Sequence, residues 1–289
     1  MTAHNSYTVL ARKYRPADFS SLIGQEALVR IISNAIKLNK VPHAFLLTGI
    51  RGVGKTTTAR IIAKVLNCIG EDGKADGPTA TPCLKCANCR EIGESRHPDI
   101  IEMDAASKTG VDDIREVIEN CSYSPVSARY KIYIIDEVHM LSNNAFNALL
   151  KTLEEPPAHV KFIFATTEVR KLPLTIISRC QRFDLKKVGN KELVEFLGGI
   201  CQKEEIKYTE KALKLLTNLS GGSVRDSLSL LDQIITLTDR DIKEDAIRSS
   251  LGLTSKTKLI DLYSLIIEGN AAGVLTSLQS LLDAGGIAK

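Results

Sequence analysis

The chain has 289 residues, 44% hydrophobic and 25% charged, which suits a globular protein of about two domains and excludes a disordered or fibrous one. Net charge is +4, from 38 basic and 34 acidic residues. That is too even to mark the whole surface for nucleic acid, although one face can still be basic. No apolar run approaches the roughly 18 residues of a membrane helix, and the first 16 residues lack an apolar core and a cleavage site, so a cytoplasmic protein with no membrane partner is expected.

In chain order, residues 45–47 form a short apolar strand that enters a glycine-rich turn. Residues 57–66 then place Ala59, Ile62, Ala63 and Leu66 on one helical face. Ile100, Ile101 and Met103 predict another strand. The helix after it carries Val111, Ile114, Val117 and Ile118, with Asp112 and Asp113 near its positive end. Residues 132–135 are a buried-type strand, residues 145–153 a helix stopped before Pro156 and Pro157, and residues 162–165 the next strand. This alternation predicts an α/β fold, a parallel sheet with helices on both faces. Beyond about Leu185 strands are no longer expected. Residues 191–204, 209–219 and 223–238 read as helices of a small all-helical domain, and a further helical pattern runs from about Leu253 to Lys289. The expected division is 1–185, 186–250 and 251–289.

Residues 49–56 read Gly-Ile-Arg-Gly-Val-Gly-Lys-Thr, a P-loop placed between a strand and a helix as the motif requires. Gly49, Ile50, Arg51, Gly52, Val53, Gly54 and Thr57 would surround the phosphates of ATP with backbone N–H groups. Lys55 would reach the β- and γ-phosphates, and the Thr56 hydroxyl would ligate Mg²⁺. Asp136 and Glu137 end the strand at residues 132–135, where open sheets place ligands. Asp136 suits the Mg²⁺ shell and Glu137 the polarisation of an attacking water. Having both favours hydrolysis over binding alone.

Four of the seven cysteines crowd together: Cys68, Cys83, Cys86 and Cys89. Four thiolates close a tetrahedral Zn²⁺ site of the structural type; an iron–sulfur site or a redox pair are the other readings. The segment 70–82 between them is rich in Gly, Pro, Thr and Ala and could not build a core unaided. A structural zinc contributes on the order of 10–16 kcal/mol in small modules. His97 is a possible substitute ligand. His139, Cys121, Cys180 and Cys201 read as ordinary buried or surface residues.

Several further runs occur in a fixed order around these motifs: Ala-Arg-Lys-Tyr-Arg-Pro at 11–16, Ile-Gly-Gln-Glu at 23–26, Asp-Glu-Val-His-Met at 136–140, Leu-Glu-Glu-Pro-Pro at 153–157, Ala-Thr-Thr at 165–167, Ser-Arg-Cys at 178–180 and Gly-Gly-Ser-Val-Arg-Asp at 221–226. With the P-loop and the four cysteines they closely resemble the clamp-loader ATPases of bacterial DNA polymerase III, the gamma/tau family of AAA+ proteins. The resemblance implies an AAA+ module with a zinc insert at about 68–90, a helical lid, and the start of a helical collar at 251–289. It implies a hetero-pentameric ring of clamp-loader subunits that opens a sliding clamp and grips primed DNA through its phosphates. Polymerase and helicase would attach through regions beyond this chain, and the gamma and tau forms are not separated. Arg179 would be an arginine finger acting in trans, Thr167 (or less well Thr166) the first sensor, and Arg225 the second sensor. Tyr14, Arg15, Pro16 and Ile23 would lie around the adenine, and residues 106–110 would face DNA. The alternative is another AAA+ machine, a branch-migration helicase or a remodelling chaperone.

Overall fold

The computed structural model describes residues 8–107, 110–238, 240–250 and 256–283. The chain divides into two units, Tyr14–Val188 and Gly189–Lys289, the latter joined by the N-terminal residues up to Lys13. A single helical turn, α1 (Leu10–Lys13), comes first. The first unit then runs α2 (Glu26–Lys37), β1 (Ala44–Thr48), α3 (Lys55–Asn67), α4 (Ala87–Gly93), β2 (Ile100–Asp104), α5 (Val111–Cys121), β3 (Lys131–Asp136), α6 (Asn143–Glu154), β4 (Val160–Thr166), α7 (Leu174–Ile177) and β5 (Gln181–Asp184). The strands make one parallel sheet in the order β2-β3-β4-β1-β5.

Strands β1 and β4 are buried along their whole length, so they read as unbroken apolar runs rather than alternating ones. Successive side chains still point to opposite faces. Phe45, Leu47, Ile132, Ile134 and Ile163 pack on one side with Leu28 and Ile32 of α2 and Ile61, Ile62 and Val65 of α3. Leu46, Tyr133, Ile135, Phe162 and Phe164 pack on the other with Ile114 and Val117 of α5 and Phe146, Leu149 and Leu153 of α6. Each such side chain removed from water contributes about 1.5–3 kcal/mol. On that second face the rings of Tyr133, Phe162 and Phe164 stack with centroid spacings of 5.6 and 5.8 Å. Because all five strands are parallel, their C-terminal residues share one edge. Thr48 registers with Thr166 and with Asp184, and Asp104 with Asp136.

The second unit contains α8 (Asn190–Lys203), α9 (Glu210–Leu219), α10 (Val224–Leu237), α11 (Glu244–Ser250), α12 (Lys256–Ile267) and α13 (Ala271–Asp283). The hydroxyls of Thr209 and Ser223 cap α9 and α10, each removing a polar end-group cost of about 1 kcal/mol. Leu193, Leu197, Leu213, Leu216, Leu228 and Leu231 fill the interior. Two findings differ from the sequence expectation. The unit is not purely helical: β6 (Lys207–Tyr208) and β7 (Asp241–Ile242) pair in parallel, and strands of two residues have no periodicity to read. The second is that α1 groups with the helical unit, whereas the expected first-domain span, 1–185, included it. The backbone N–H of its buried Leu10 donates to Asp232 Oδ2 on α10 at 3.0 Å, a contact between residues far apart in sequence. Residues 253–255 and 284–289 of the last expected helical pattern lie outside the described residues. Among the described residues no helix is long and apolar enough to cross a membrane.

Candidate nucleotide site and cysteine centre

The turn after β1 has a backbone that requires glycine. Gly49 has φ +149°, and a Cβ there would lie 2.8 Å from the Leu185 carbonyl oxygen and 3.0 Å from Val53 Cγ1. Gly52 and Gly54 also have positive φ, 74° and 103°. Gly54 caps α3 with no side-chain acceptor, so the first N–H groups of that helix remain available to an anion. Lys55 is buried and curls into the loop, where its Nζ donates to the carbonyls of Gly49 and Ile50 at 3.1 and 3.2 Å. Burial lowers its pKa, and the charges of Glu137 and Asp136 oppose that shift.

Strand β3 ends at the next residue in the chemistry. Thr56 Oγ1 donates to Asp136 Oδ2 at 2.5 Å, so two groups 80 residues apart in sequence meet at the loop's mouth. Glu137 follows in a left-handed conformation, φ 45° and ψ 44°, which costs an L-residue about 1–2 kcal/mol. Its Oε2 accepts from the Thr167 N–H at 3.1 Å and from the Thr167 hydroxyl at 3.0 Å. Thr166 takes the opposite face of β4: it is buried and its Oγ1 lies 2.9 Å from His139 Nδ1. Nothing in the sequence singled out His139, whose partner is 27 positions away.

The remaining expected residues are dispersed. Arg15 Nε donates to Thr57 Oγ1 at 3.1 Å, which places it beside the start of α3, and Tyr14, Pro16 and Ile23 are half-buried nearby in sequence. Ile50 and Arg51 are exposed on the loop. Arg179 donates to the Thr175 carbonyl at 2.8 Å and pairs with Glu154. It precedes β5, whose Gln181 registers with Phe45 near the start of β1, so Arg179 sits at the sheet edge opposite the P-loop. Arg225 occupies the first turn of α10, exposed, in the second unit. In the segment at 106–110, Lys108 and Thr109 lie outside the described residues; Asp104 carboxylate accepts the Ala106 N–H at 2.9 Å.

The four clustered cysteines converge: the Sγ atoms of Cys68, Cys83, Cys86 and Cys89 all lie within 4.8 Å of one another. Tetrahedral Zn–S bonds of about 2.3 Å imply sulfur spacings near 3.8 Å, which this cluster can adopt with small side-chain movements. Backbone N–H groups of Cys83, Cys86 and Cys89 point at the sulfurs of Cys68, Cys83 and Cys86 at 3.3–3.4 Å, as thiolate ligands need. Burial raises the Cys83 thiol, but N–H groups of Cys86 and Lys85 and the adjacent thiols outweigh it and bring it to about 7. Burial pushes Cys89 and Cys68 up. A bound cation would reverse that penalty. His97 stands apart from this cluster; its Nδ1 accepts the Asp99 N–H at 3.1 Å. Burial holds the thiols of Cys121 and Cys201 at about 11 and that of Cys180 at about 12.

Two asparagines and an arginine, none of them apparent from the sequence, weld this insert to the sheet. Asn67 exchanges two hydrogen bonds with the Tyr130 backbone, at 2.9 and 2.8 Å, and Asn88 donates to the Asn67 carbonyl at 2.9 Å. Arg129 binds the carbonyls of Leu66, Cys68 and Ala75.

A P-loop after β1, an acid pair after β3 and a third strand between them define a P-loop nucleotide-binding protein of the AAA+ type. The same fold occurs in the Thermotoga maritima RuvB Holliday junction branch migration motor, with a TM-score of 0.60, 19% identity, and coverage of 88% of this chain and 79% of that one. Family models match at residues 24–189 (DNA polymerase III, delta subunit) and 192–240 (DNA polymerase III clamp loader subunit, ATPase lid domain). The DNA polymerase III subunit tau/gamma of Haemophilus influenzae is 46% identical over 281 residues, 97% of this chain and 40% of the relative. The tau subunit of Escherichia coli is 46% identical over 274 residues, 95% of this chain and 42% of the relative. The gamma subunit of Buchnera aphidicola from Schizaphis graminum is 45% identical over 280 residues, 97% of this chain and 76% of the relative. The chain belongs to the gamma/tau family of DNA polymerase III subunits. It spans about two fifths of the length of the first two relatives.

Proposed function

We propose that this chain is the ATP-hydrolysing motor of a bacterial replicative clamp loader, and the observation that carries this reading is the meeting of Thr56 and Asp136 at 2.5 Å beside the buried Lys55. ATP with Mg²⁺ would supply the phosphoanhydride and its charge-neutralising cation. The α3 N-terminus and the loop N–H groups bind phosphate oxygens, and Lys55 exchanges its two loop carbonyls for phosphate. Thr56 and Asp136 are the residues that would hold the cation. Glu137 orients water and takes its proton, with Thr167 steering the carboxylate. Arg225 serves as a sensor from the lid.

Arg179 acts on a neighbouring subunit's nucleotide. About three residues of strand, roughly 10 Å, separate the Gln181 register from the Thr48 end of β1, and the guanidinium is engaged with Glu154 and Thr175. An arginine so placed serves a partner better than its own loop. The four cysteines hold a structural Zn²⁺, since a site of four thiolates keeps no open position for catalysis.

The motor works in a ring of clamp-loader subunits, opening a sliding clamp and gripping primed DNA through phosphates, within the polymerase holoenzyme. Hydrolysis releases clamp and DNA. High identity over nearly the whole chain to tau and gamma subunits favours this reading over a branch-migration helicase, to which the likeness is one of fold. The test is ATP turnover by the complete subunit assembled with its partner subunits, sliding clamp and primed DNA. Lys55→Ala is expected to lower turnover by about 10²–10³-fold, the scale of losing one preorganised cationic donor. Wild-type turnover in that variant would overturn the site.

A further inference from the structure

Glu137 is held in a backbone conformation that an L-residue avoids, φ 45° and ψ 44°, and such strain persists only where neighbours over-determine it. The backbone neighbours are few. The Glu137 N–H donates to Asp136 Oδ1 at 2.9 Å, and its carbonyl accepts from the Met140 N–H at 2.9 Å. The turn from Val138 to Met140 that follows contains His139. The His139 side chain is only 6% exposed. Its Nδ1 lies 2.9 Å from Thr166 Oγ1 and 3.4 Å from Glu137 Oε2, and its Nε2 lies 3.6 Å from Glu168 Oε1. Glu168 in turn donates its N–H to Thr166 Oγ1 at 3.0 Å.

Either ring nitrogen can carry the proton, and each faces a carboxylate oxygen, Nδ1 that of Glu137 at 3.4 Å and Nε2 that of Glu168 at 3.6 Å; the shorter contact favours the proton on Nδ1. A bare lone pair there would face a carboxylate oxygen at 3.4 Å and be repelled. A proton there faces two acceptors, Thr166 Oγ1 and Glu137 Oε2. The same Glu137 oxygen receives both Thr167 donors. Two adjacent residues at the end of β4 therefore grip one carboxylate, Thr167 directly and Thr166 through the imidazole.

We infer that His139 is a positioning residue for hydrolysis: its buried Nδ1–H, anchored on Thr166, fixes the Glu137 carboxylate against Thr167 in the strained turn. This rests on the reading of Glu137 as the group that activates water. His139 touches neither nucleotide nor water in this role. Misplacing a reacting group by about 1 Å costs on the order of 10²-fold in rate, and nucleotide affinity should not change, because no phosphate ligand is lost.

Three replacements separate hydrogen bonding from packing. His139→Phe keeps a buried ring and removes both nitrogens. His139→Asn returns a donor near the Nδ1 position, and His139→Gln returns one near Nε2. In the assembled complex with clamp and primed DNA, H139F is expected to slow turnover by about 10–100-fold with an unchanged dissociation constant for a fluorescent ADP analogue. H139N should recover most of the rate and H139Q little of it. Wild-type turnover in H139F would overturn the inference, and so would equal losses in H139N and H139F, which would mark a packing role. Glu137→Gln measured alongside separates the two levels. If wild type and E137Q turn over alike, the reading of Glu137 fails; if E137Q is inactive while H139F matches wild type, only the positioning role fails.

Discussion

Arg129 grips the Cys68 carbonyl with both terminal guanidinium nitrogens, each at 3.3 Å. The same side chain reaches the Leu66 carbonyl at 2.8 Å and the Ala75 carbonyl at 2.6 Å. Leu66 lies in the last turn of α3 and Cys68 and Ala75 in the insert, so one cation ties the end of the P-loop helix to the cysteine centre. Arg129→Ala strands three carbonyls that had a charged donor, a loss of about 2–3 kcal/mol. We expect one zinc per chain by elemental analysis of wild type, and faster zinc release to a chelator in R129A with a lower melting temperature. Unchanged release would mean that the arginine does not support the centre.

At Gly49 the expected effect is on nucleotide binding. A methyl group there meets the Leu185 carbonyl at 2.8 Å, on a backbone with φ +149°. Both the loop and the segment after β5 must shift to admit it. Gly49→Ala should weaken ATP-analogue binding at least about tenfold, a difference of 1.4 kcal/mol, while circular dichroism stays that of a folded protein. Unaltered affinity would show that the loop adapts.

Asp99 gives a pH prediction with a definite sign. It is 1% exposed and accepts the N–H groups of Val126, Ser127 and Ala128 at 2.7–2.8 Å. Burial raises its pKa, but those bonds outweigh burial and set it below the ordinary value. A depressed folded pKa contributes stability that is complete above the unfolded value, near 3.9, and is lost as pH falls through the folded value. Asp99→Asn should therefore cost about 2–3 kcal/mol at pH 7, with the gap to wild type narrowing below about pH 4. Denaturant titrations at a series of pH values check this, and a gap independent of pH would remove the charge from the explanation.

For Arg179 the decisive measurement uses mixed assemblies. Arg179→Ala subunits blended with wild type should lower turnover at their neighbours' sites, by about 10³-fold per affected site. Subunits doubly changed at Lys55 and Arg179 should poison no more sites than the two single changes predict by adjacency. Loss confined to the altered subunit's own site would place the arginine in cis.

Much of the sheet and both chemical centres were legible in the sequence, for physical reasons. The strands buried on both faces, such as residues 160–166, appear as continuous apolar runs. The P-loop and three of the cysteines have local spacing, and local spacing is what a sequence displays directly. Contacts made across the fold were hidden. Nothing near Arg129 announces carbonyls 61 residues away, and His139 looks like any histidine until β4 brings Thr166 to it. The pair β6 and β7 is too short for periodicity, and Leu10 reveals its place only through Asp232 on α10.

A parallel sheet has two unlike edges, and here the P-loop leaves one while Arg179 sits at the other. If Arg179 serves a neighbour's nucleotide, as proposed, a subunit of this kind would give at one end and receive at the other, and subunits would join head to tail. Two joined copies complete one site and leave a spare arginine and an unserved loop. Any open arc thus holds one fewer complete site than it has members, and only closure makes the numbers equal. Turnover per subunit would then report whether the arc is open or shut.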